Sequence, residues 1–297
     1  MVRLHLPLAG RTLNVETMKT LAWYTKLSLG LTAFVPLYFM IAALGTKIGL
    51  WGWMTGLVGM TFTAGPFILG IAFVVALLVV IIGLINWSGR KAEKEDGVKR
   101  PRSKMVMGVG IIGMIVPAAF ALFGIATASK ADDNPIHDIA TDTATPPMFS
   151  AKVIAEREEA GANPLNNYQK PLAEIEMYKG APPELAILSH AQIINDEYPE
   201  LSPLPLGGAS RADAVAAVAA AMGAMGFTDI RQNAEEGRVE GVAESFWFGF
   251  KDDVVARIGE SEIDFRSVSR VGQSDLGANA ARIAELREKV ATQIGQR

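Results

Sequence analysis

Long uncharged apolar stretches fill most of the first 130 residues, whereas beyond them apolar positions recur at helical or alternating spacing in shorter segments. Residues 27–44 hold 18 consecutive uncharged positions and residues 105–128 hold 24, against the ~20 that a helix needs to cross the apolar core of a bilayer. Between them, residues 48–89 are uncharged for 42 positions, but the first half, IGLWGWMTGLVGMTFTAG, is rich in Gly, Thr and Trp. The dense aliphatic part, PFILGIAFVVALLVVIIGLINW at 66–87, is therefore the predicted second span, with Trp51 and Trp53 near the interface. Pro36 and Pro117 fall inside two spans, where neighbouring helices re-satisfy the freed backbone groups.

Residues 130–149 carry Pro, Asp and Thr without apolar periodicity and read as an extended lead-in. The domain beyond, 150–297, begins with helical spacing at 150–161 and 182–198, and residues 200–206 (ELSPLPL) break it. Residues 210–226 form the clearest helix, with Ser210 as cap, Asp213 at the capping-box position, and Val215, Val218, Met222 and Met225 as its buried stripe. Its Ala and Met residues are core rather than a cofactor box. Segments 227–233, 238–250, 253–259 and 262–271 alternate or are β-rich and are separated by turn signals. The last helix, 275–293, places Leu276, Ala280, Ile283, Leu286 and Val290 inward. The expected fold is a three-helix transmembrane region plus an α+β domain, an antiparallel sheet with helices packed on one face.

Charge divides the chain at the same place. Residues 1–130 carry 13 Lys and Arg against 4 Asp and Glu, whereas 131–297 carry 15 against 27. Seven basic residues crowd the loop at 90–104: Arg90, Lys91, Lys94, Lys99, Arg100, Arg102 and Lys104. The positive-inside rule puts that loop in the cytoplasm. The N-terminal stretch 1–26, with Arg3, Arg11, Lys19 and Lys26, goes with it. An odd number of spans across 27–129 then places the acidic domain on the periplasmic side of an inner membrane. Residues 27–44 are long for the apolar core of a cleaved signal peptide, and no clear small-residue cleavage site follows. Met18 before Lys19 offers an alternative start. An acidic domain has no broad basic footprint for nucleic acid.

With no cysteine and three histidines, His5, His137 and His190, there is no thiolate chemistry and little for zinc, so neither metal nor cofactor is expected. The densest polar stretch is SVSRVGQSDLGANAARI at 267–283. On the last strand, Asp264, Arg266, Val268 and Arg270 share one face, and Ile263, Phe265, Ser267 and Ser269 the other. Ser274 is the predicted N-cap of the last helix and Asp275 sits in its first turn. Asp275, Asn279 and Arg282 then form one polar stripe. Arg266, Arg270 and Arg282, near a helix N-terminus and a glycine-bearing loop, compose a candidate anion site. The same residues equally compose an internal ion-pair network with Asp264 and Asp275.

A second candidate is His137 with Asp138 and Asp142, one nitrogen and several oxygens, for which a solvated acidic linker is the simpler account. A serine hydrolase would need Ser267, Ser269 or Ser274 beside His137 or His190, with Asp138, Asp142 or Asp275 orienting the imidazole. No GxSxG elbow is present. Asp252 and Asp253 are expected to close a hairpin, and Trp247, between Phe246 and Phe248 in a strand, to be core.

Several ordered motifs are distinctive together: HDIATD at 137–142, PP before Phe149, NNY ending at Tyr168, YPEL at 198–201, GRVEG at 237–241, FWFGFKDDVVARI at 246–258 and RSVSRVGQSDLGANAARI at 266–283. In them the chain resembles a bacterial family, domain of unknown function fourteen ninety-nine, over about residues 134–295. The resemblance implies membrane-anchored relatives and carries no catalytic role to any position. The expected function is therefore a periplasmic ligand-binding or assembly domain on a membrane anchor, with an anionic envelope ligand or an envelope protein as partner. The rival is an envelope hydrolase using a serine or the His137/Asp138 region.

Overall fold

The computed structural model describes residues 21–88 and 103–295, which divide into two compact units, residues 1–125 and 126–297. The basic residues at positions 3, 11, 19, 90, 91, 94, 99, 100 and 102, and Met18, lie outside the described residues.

The N-terminal unit is built from α1 (Trp23–Lys47), a π-helical segment (Met54–Ala64) that runs directly into α2 (Gly65–Ser88), and most of α3 (Ser103–Asp133). Three helical runs, Trp23–Lys47, Met54–Ser88 and Ser103–Asp133, are long and apolar enough to cross a membrane. The Gly- and Thr-rich residues 54–64, left outside the second span by composition, are thus continuous helix. The hydroxyls of Thr61 and Thr63 each bond the carbonyl five residues back, at 2.9 Å, matching the wider winding. The unit is inside-out relative to a water-soluble core. Ala42, Ala72, Ala76 and Gly113 are buried, while Phe67, Ile71, Ile85 and Ile115 face outward. A Cβ on Gly110 would lie 2.8 Å from the Ala76 carbonyl oxygen, so only glycine allows this backbone approach. Small residues inside and large apolar ones outside are what helix association in lipid selects.

The C-terminal unit is a six-stranded antiparallel sheet of order β1-β6-β5-β4-β3 with β2 also on β6. Its strands are β1 (Asp138–Ala140), β2 (Leu204–Pro205), β3 (Thr228–Asn233), β4 (Arg238–Glu244), β5 (Lys251–Ile258) and β6 (Glu262–Ser269). The helices are α4 (Ala151–Glu159), α5 (Pro183–Ala186), α6 (His190–Glu197), α7 (Arg211–Ala224) and α8 (Ala278–Gln293). Side-chain caps start three of them: Ser150 on α4, Ser189 with Gln192 as a capping box on α6, and Ser210 on α7. On one sheet face, Val239, Val254, Ala256, Ile258, Ile263 and Phe265 meet Val215, Val218 and Met222 of α7 and Ile283, Leu286 and Val290 of α8. Each fully buried large side chain there contributes about 2 kcal/mol.

The opposite face mixes charged side chains with a small apolar cluster, Val255 and Val268 against Phe149 and Val153, and α4 with residues 141–150 roofs it. Part of the segment expected to be a lead-in is therefore built into the domain: Asp138–Ala140 is the strand beside β6, with Asp138 opposite Val268. β4 ends at Glu244 rather than running to 250, and residues 245–250 form a hairpin loop. Trp247, expected in the core, is 53% exposed and Phe246 is 73% exposed. Uninterrupted aromatics lack the polar alternation that distinguishes a half-buried strand from a tip.

Candidate functional site

Antiparallel register puts Asp138, Arg266, Asp253, Arg257, Glu240 and Asp264 on the roofed face. Arg266 grips Asp138 through two parallel bonds, Nε to Oδ1 at 2.9 Å and Nη2 to Oδ2 at 2.7 Å. The side chains are 2% and 0% exposed. The Tyr168 hydroxyl donates to Oδ1 at 2.6 Å and the Asn166 amide to Oδ2 at 3.2 Å, while Arg266 Nη1 donates to the Pro147 carbonyl at 3.2 Å. The Tyr168 and Phe149 rings flank the guanidinium at 5.2 and 6.0 Å. Burial alone would push the Asp138 carboxyl up, but the charge and hydrogen bonds of Arg266, with Tyr168, hold it down at about 2. Asp138 is thus a buried anion with a dedicated cation, not part of a solvated linker.

Asp253 takes Nε of Arg270 at 2.9 Å, Nη2 of Arg270 at 2.6 Å and Nη1 of Arg157 at 2.5 Å. It is a strand residue carrying two arginines, and it does not close a hairpin. Asp142 belongs to a separate cluster. Its carboxylate accepts the Ala144 and Thr145 amides, at 3.0 and 2.9 Å, and Arg257 at 2.8 Å, the latter shared with Asp264. His137, Asp138 and Asp142 do not converge, and no group of three metal-type side chains occurs among the described residues.

The joint between β6 and α8 is a second polar knot. Ser267 Oγ donates to Asn279 Oδ1 at 2.5 Å, and Asn279 Nδ2 donates to the His137 carbonyl at 2.8 Å and to Ser269 Oγ at 3.0 Å. Arg282 bonds Ser267 Oγ at 3.0 Å, Asn279 Oδ1, and Asp252 Oδ2 at 2.6 Å. α8 starts at Ala278 with Gly277 as N-cap, three residues later than Ser274 would have set it. Ser274 Oγ instead accepts the Leu276 amide at 3.1 Å, and Asp275 accepts the amides of Gly277 and Asn279, each at 2.8 Å. Burial raises the Asp275 carboxyl, and these two amides pull it partly back. The structure brings Ser267, Asn279 and Arg282 together but separates them from the Arg266–Asp138 pair, which lies across the sheet.

Between these networks sits an aromatic cluster that spacing did not reveal. His137 Nδ1 faces the Tyr178 hydroxyl at 2.8 Å and the Gln273 carbonyl at 3.2 Å. His190 stacks on Tyr168, 5.6 Å between centroids, and meets Tyr178 edge-on at 5.4 Å. Both histidines are fully buried, and neither nitrogen of the His190 ring makes a hydrogen bond. Burial lowers both imidazoles, His190 to about 4, so they are neutral at pH 7. None of the hydroxyls of Ser267, Ser269 and Ser274 bonds either ring. Tyr168 is marked in the sequence by its NNY motif, whereas Tyr178, Arg157 and Asp253 become network members only through the fold.

The family model described as protein of unknown function (DUF1499) matches residues 138–290, just over half of the 297 residues. No curated protein and no solved structure matches the chain.

Proposed function

We propose that this chain, which belongs to the DUF1499 family, is an inner-membrane protein that presents a non-catalytic assembly or ligand-binding domain to the periplasm. The observation that carries this reading is the commitment of the candidate site to the fold: Arg266, Arg270 and Arg282 each hold a buried aspartate. Ser267, Ser269 and Ser274 do not bond His137 or His190, so the hydrolase alternative lacks the nucleophile–base pair it named. A domain whose ionic groups are spent internally acts through its surface. The periplasmic side is supported by the basic residues at 90–104 and the odd number of apolar runs.

A second reading, capture of a small anionic envelope ligand, is favoured by one feature. Arg282, which also holds Asp252, lines an open cleft of about 310 Å³ with Phe227, Ala278, Ala281 and the carboxylates Glu244 and Glu285. The test has two arms. A periplasm-dependent reporter fused after Arg297 is expected to be active, and activity of a cytoplasm-dependent reporter there overturns the topology. Purification of the intact protein in mild detergent is expected to bring down a stoichiometric envelope protein. A small anion retained instead, and lost in Arg282→Ala, selects the ligand reading. Turnover of an ester or amide substrate that disappears in His137→Ala restores the hydrolase.

A further inference from the structure

We infer that residues 164–203 form a strap that docks beside β1 through its side chains and lets go when His190 gains a proton. The strap runs between α4 and β2 and contains α5 and α6. Backbone bonds tie both of its ends to the sheet: the Asn163 amide donates to the Arg270 carbonyl at 2.8 Å, and Leu204 pairs with Ile263 on β6. Between those ties, among the described residues, the strap's backbone–backbone bonds all stay inside it. The Leu172 amide reaches the Leu188 carbonyl at 2.8 Å and the Ala191 amide the Tyr168 carbonyl at 3.0 Å. A unit closed on itself and joined to the sheet at two points opens at less cost than unfolding the whole domain.

Side chains hold the middle of the strap down. The Tyr168 hydroxyl and the Asn166 amide donate to Asp138, at 2.6 and 3.2 Å, and Gln169 Nε2 donates to the Thr143 carbonyl at 2.8 Å. The Tyr178 hydroxyl meets His137 Nδ1 at 2.8 Å, and the Tyr198 hydroxyl donates to Asn134 Oδ1 at 2.5 Å. Behind these contacts, Leu172, Ile193 and Ile194 join the apolar core, and α6 packs beside β1.

His190, the first residue of α6, is the weak point of this attachment. Its fully buried ring is held by faces alone, stacked on Tyr168 and edge-on to Tyr178, with neither nitrogen hydrogen-bonded. The neutral imidazole leaves one donor and one acceptor unmet there, and the imidazolium leaves two donors and a charge. Asp138 on β1 attracts that charge but is committed to Arg266, Tyr168 and Asn166, while His137 and Arg266 oppose it. Burial outweighs all three and lowers His190 to about 4. His137, also lowered by burial, is drawn up by Asp138, the Gln273 carbonyl and Asp252 and down by Arg157, and it acts in the same sense. Asp275, raised by burial, acts in the opposite one.

Undocking carries His190 into water, where its ordinary value is ~6.5, so the open strap binds a proton that the docked strap refuses. The open form therefore gains as pH falls from about 6.5 toward about 4, and one such proton raises the open-to-docked ratio about twentyfold between pH 7 and pH 5. Opening uncovers the edge of β1 that faces away from β6, together with Leu172, Ile193 and Ile194. Acid thus turns a closed surface into one that another chain can bind, whichever activity the domain has.

Hydrogen–deuterium exchange of the intact protein in mild detergent tests this, with each peptide's rate divided by that of unstructured chain at the same pH. Peptides from 166–198 are expected to exchange about twentyfold faster at pH 5 than at pH 7 on that scale, and to stay less protected than β4 and β5 at both. His190→Phe, which keeps the ring stack, is expected to remove about that factor. The parent protein alone can overturn the proposal: a strap whose scaled rate does not change with pH does so. Equal protection of strap and β5 at pH 5 does so too, because the domain then opens only as a whole. An unchanged pH dependence in His190→Phe also overturns it, because other groups would then drive the opening.

Discussion

The two faces of the C-terminal sheet are both buried, but in different proportions of apolar and ionic side chains. One is filled by Ile263, Phe265, Val254 and Ile258 against α7 and α8. The other buries Asp138, Asp253, Asp264, Glu240 and Arg266 under α4 and residues 141–150. Dispersion and apolar burial on the first face are non-directional, so a lost methylene is felt in proportion to its volume. Charges on the second survive only as complete sets, since a buried ion without its partner costs far more than the pair contributes. Apolar burial thus adds directly to stability, whereas an ion pair such as Asp138–Arg266 contributes little net but penalises any arrangement that leaves one partner alone.

The contrast is sharpest at Asp138. Asp138→Ala leaves the Arg266 guanidinium buried without its anion and is expected to cost about 4 kcal/mol, more than the roughly 3 kcal/mol for Ile283→Ala on the aliphatic face. Asp138→Leu with Arg266→Met should recover part of the loss, because apolar replacement of the pair is close to neutral while the Tyr168 hydroxyl loses its acceptor. Chemical denaturation of the intact protein in mild detergent measures all three. A double variant as unstable as Asp138→Ala would show that the pair is worth more than its own desolvation.

Acid should act on the ionic side and on the histidine cluster in separate pH windows. His190 is lowered to about 4 by burial, so below its ordinary ~6.5 the unfolded chain binds the proton and the folded one does not. Stability should fall as pH drops from about 6.5 to about 4, by up to about 3 kcal/mol. His137 acts in the same sense and Asp275, raised by burial, in the opposite one. Asp138, held at about 2, keeps its stabilisation above about 4 and loses it only as pH falls toward 2. His190→Phe removes two unpartnered nitrogens while keeping the stack between Tyr168 and Tyr178. It should flatten the upper window in melting curves taken from pH 7 to 4.5, and an unchanged slope would assign that window to other groups.

The smallest effect separates a structural joint from an anion site. Asp253 keeps Arg157 when Arg270 is lost, so Arg270→Ala should cost about 1.5 kcal/mol and leave cellular function intact once the protein folds. If instead melting temperature holds or rises while complementation is lost, Arg270 is kept for a ligand.

How much of this was legible depended on range. The three apolar runs announce membrane helices because a bilayer demands length and lack of charge from one continuous segment. The cap at Ser210 and the order β3 to β6 are also local, set by residues three apart or by adjacent turns. The candidate site is different. The sequence placed Asp275, Asn279 and Arg282 on one helical stripe, and Asn279 bonds both of the others, whereas Ser267, which also bonds Asn279, comes from the strand before. The sequence could not pair Asp138 with Arg266, 128 residues apart, or show His190 beside Tyr168 and Tyr178. Period-two alternation says which residues share a face of β6, but not whether that face meets water or α4, because the covering segment comes from elsewhere in the chain. For the same reason Trp247 read as core: four near-consecutive aromatic residues look alike whether a layer covers them or not. By itself the sequence determined the three apolar helical runs, though not where the second begins, together with the meander and the charge division, each a property of contiguous residues. Only the tertiary structure decided which charges are buried together and which aromatics stay outside, because burial depends on the partner that packs against a residue.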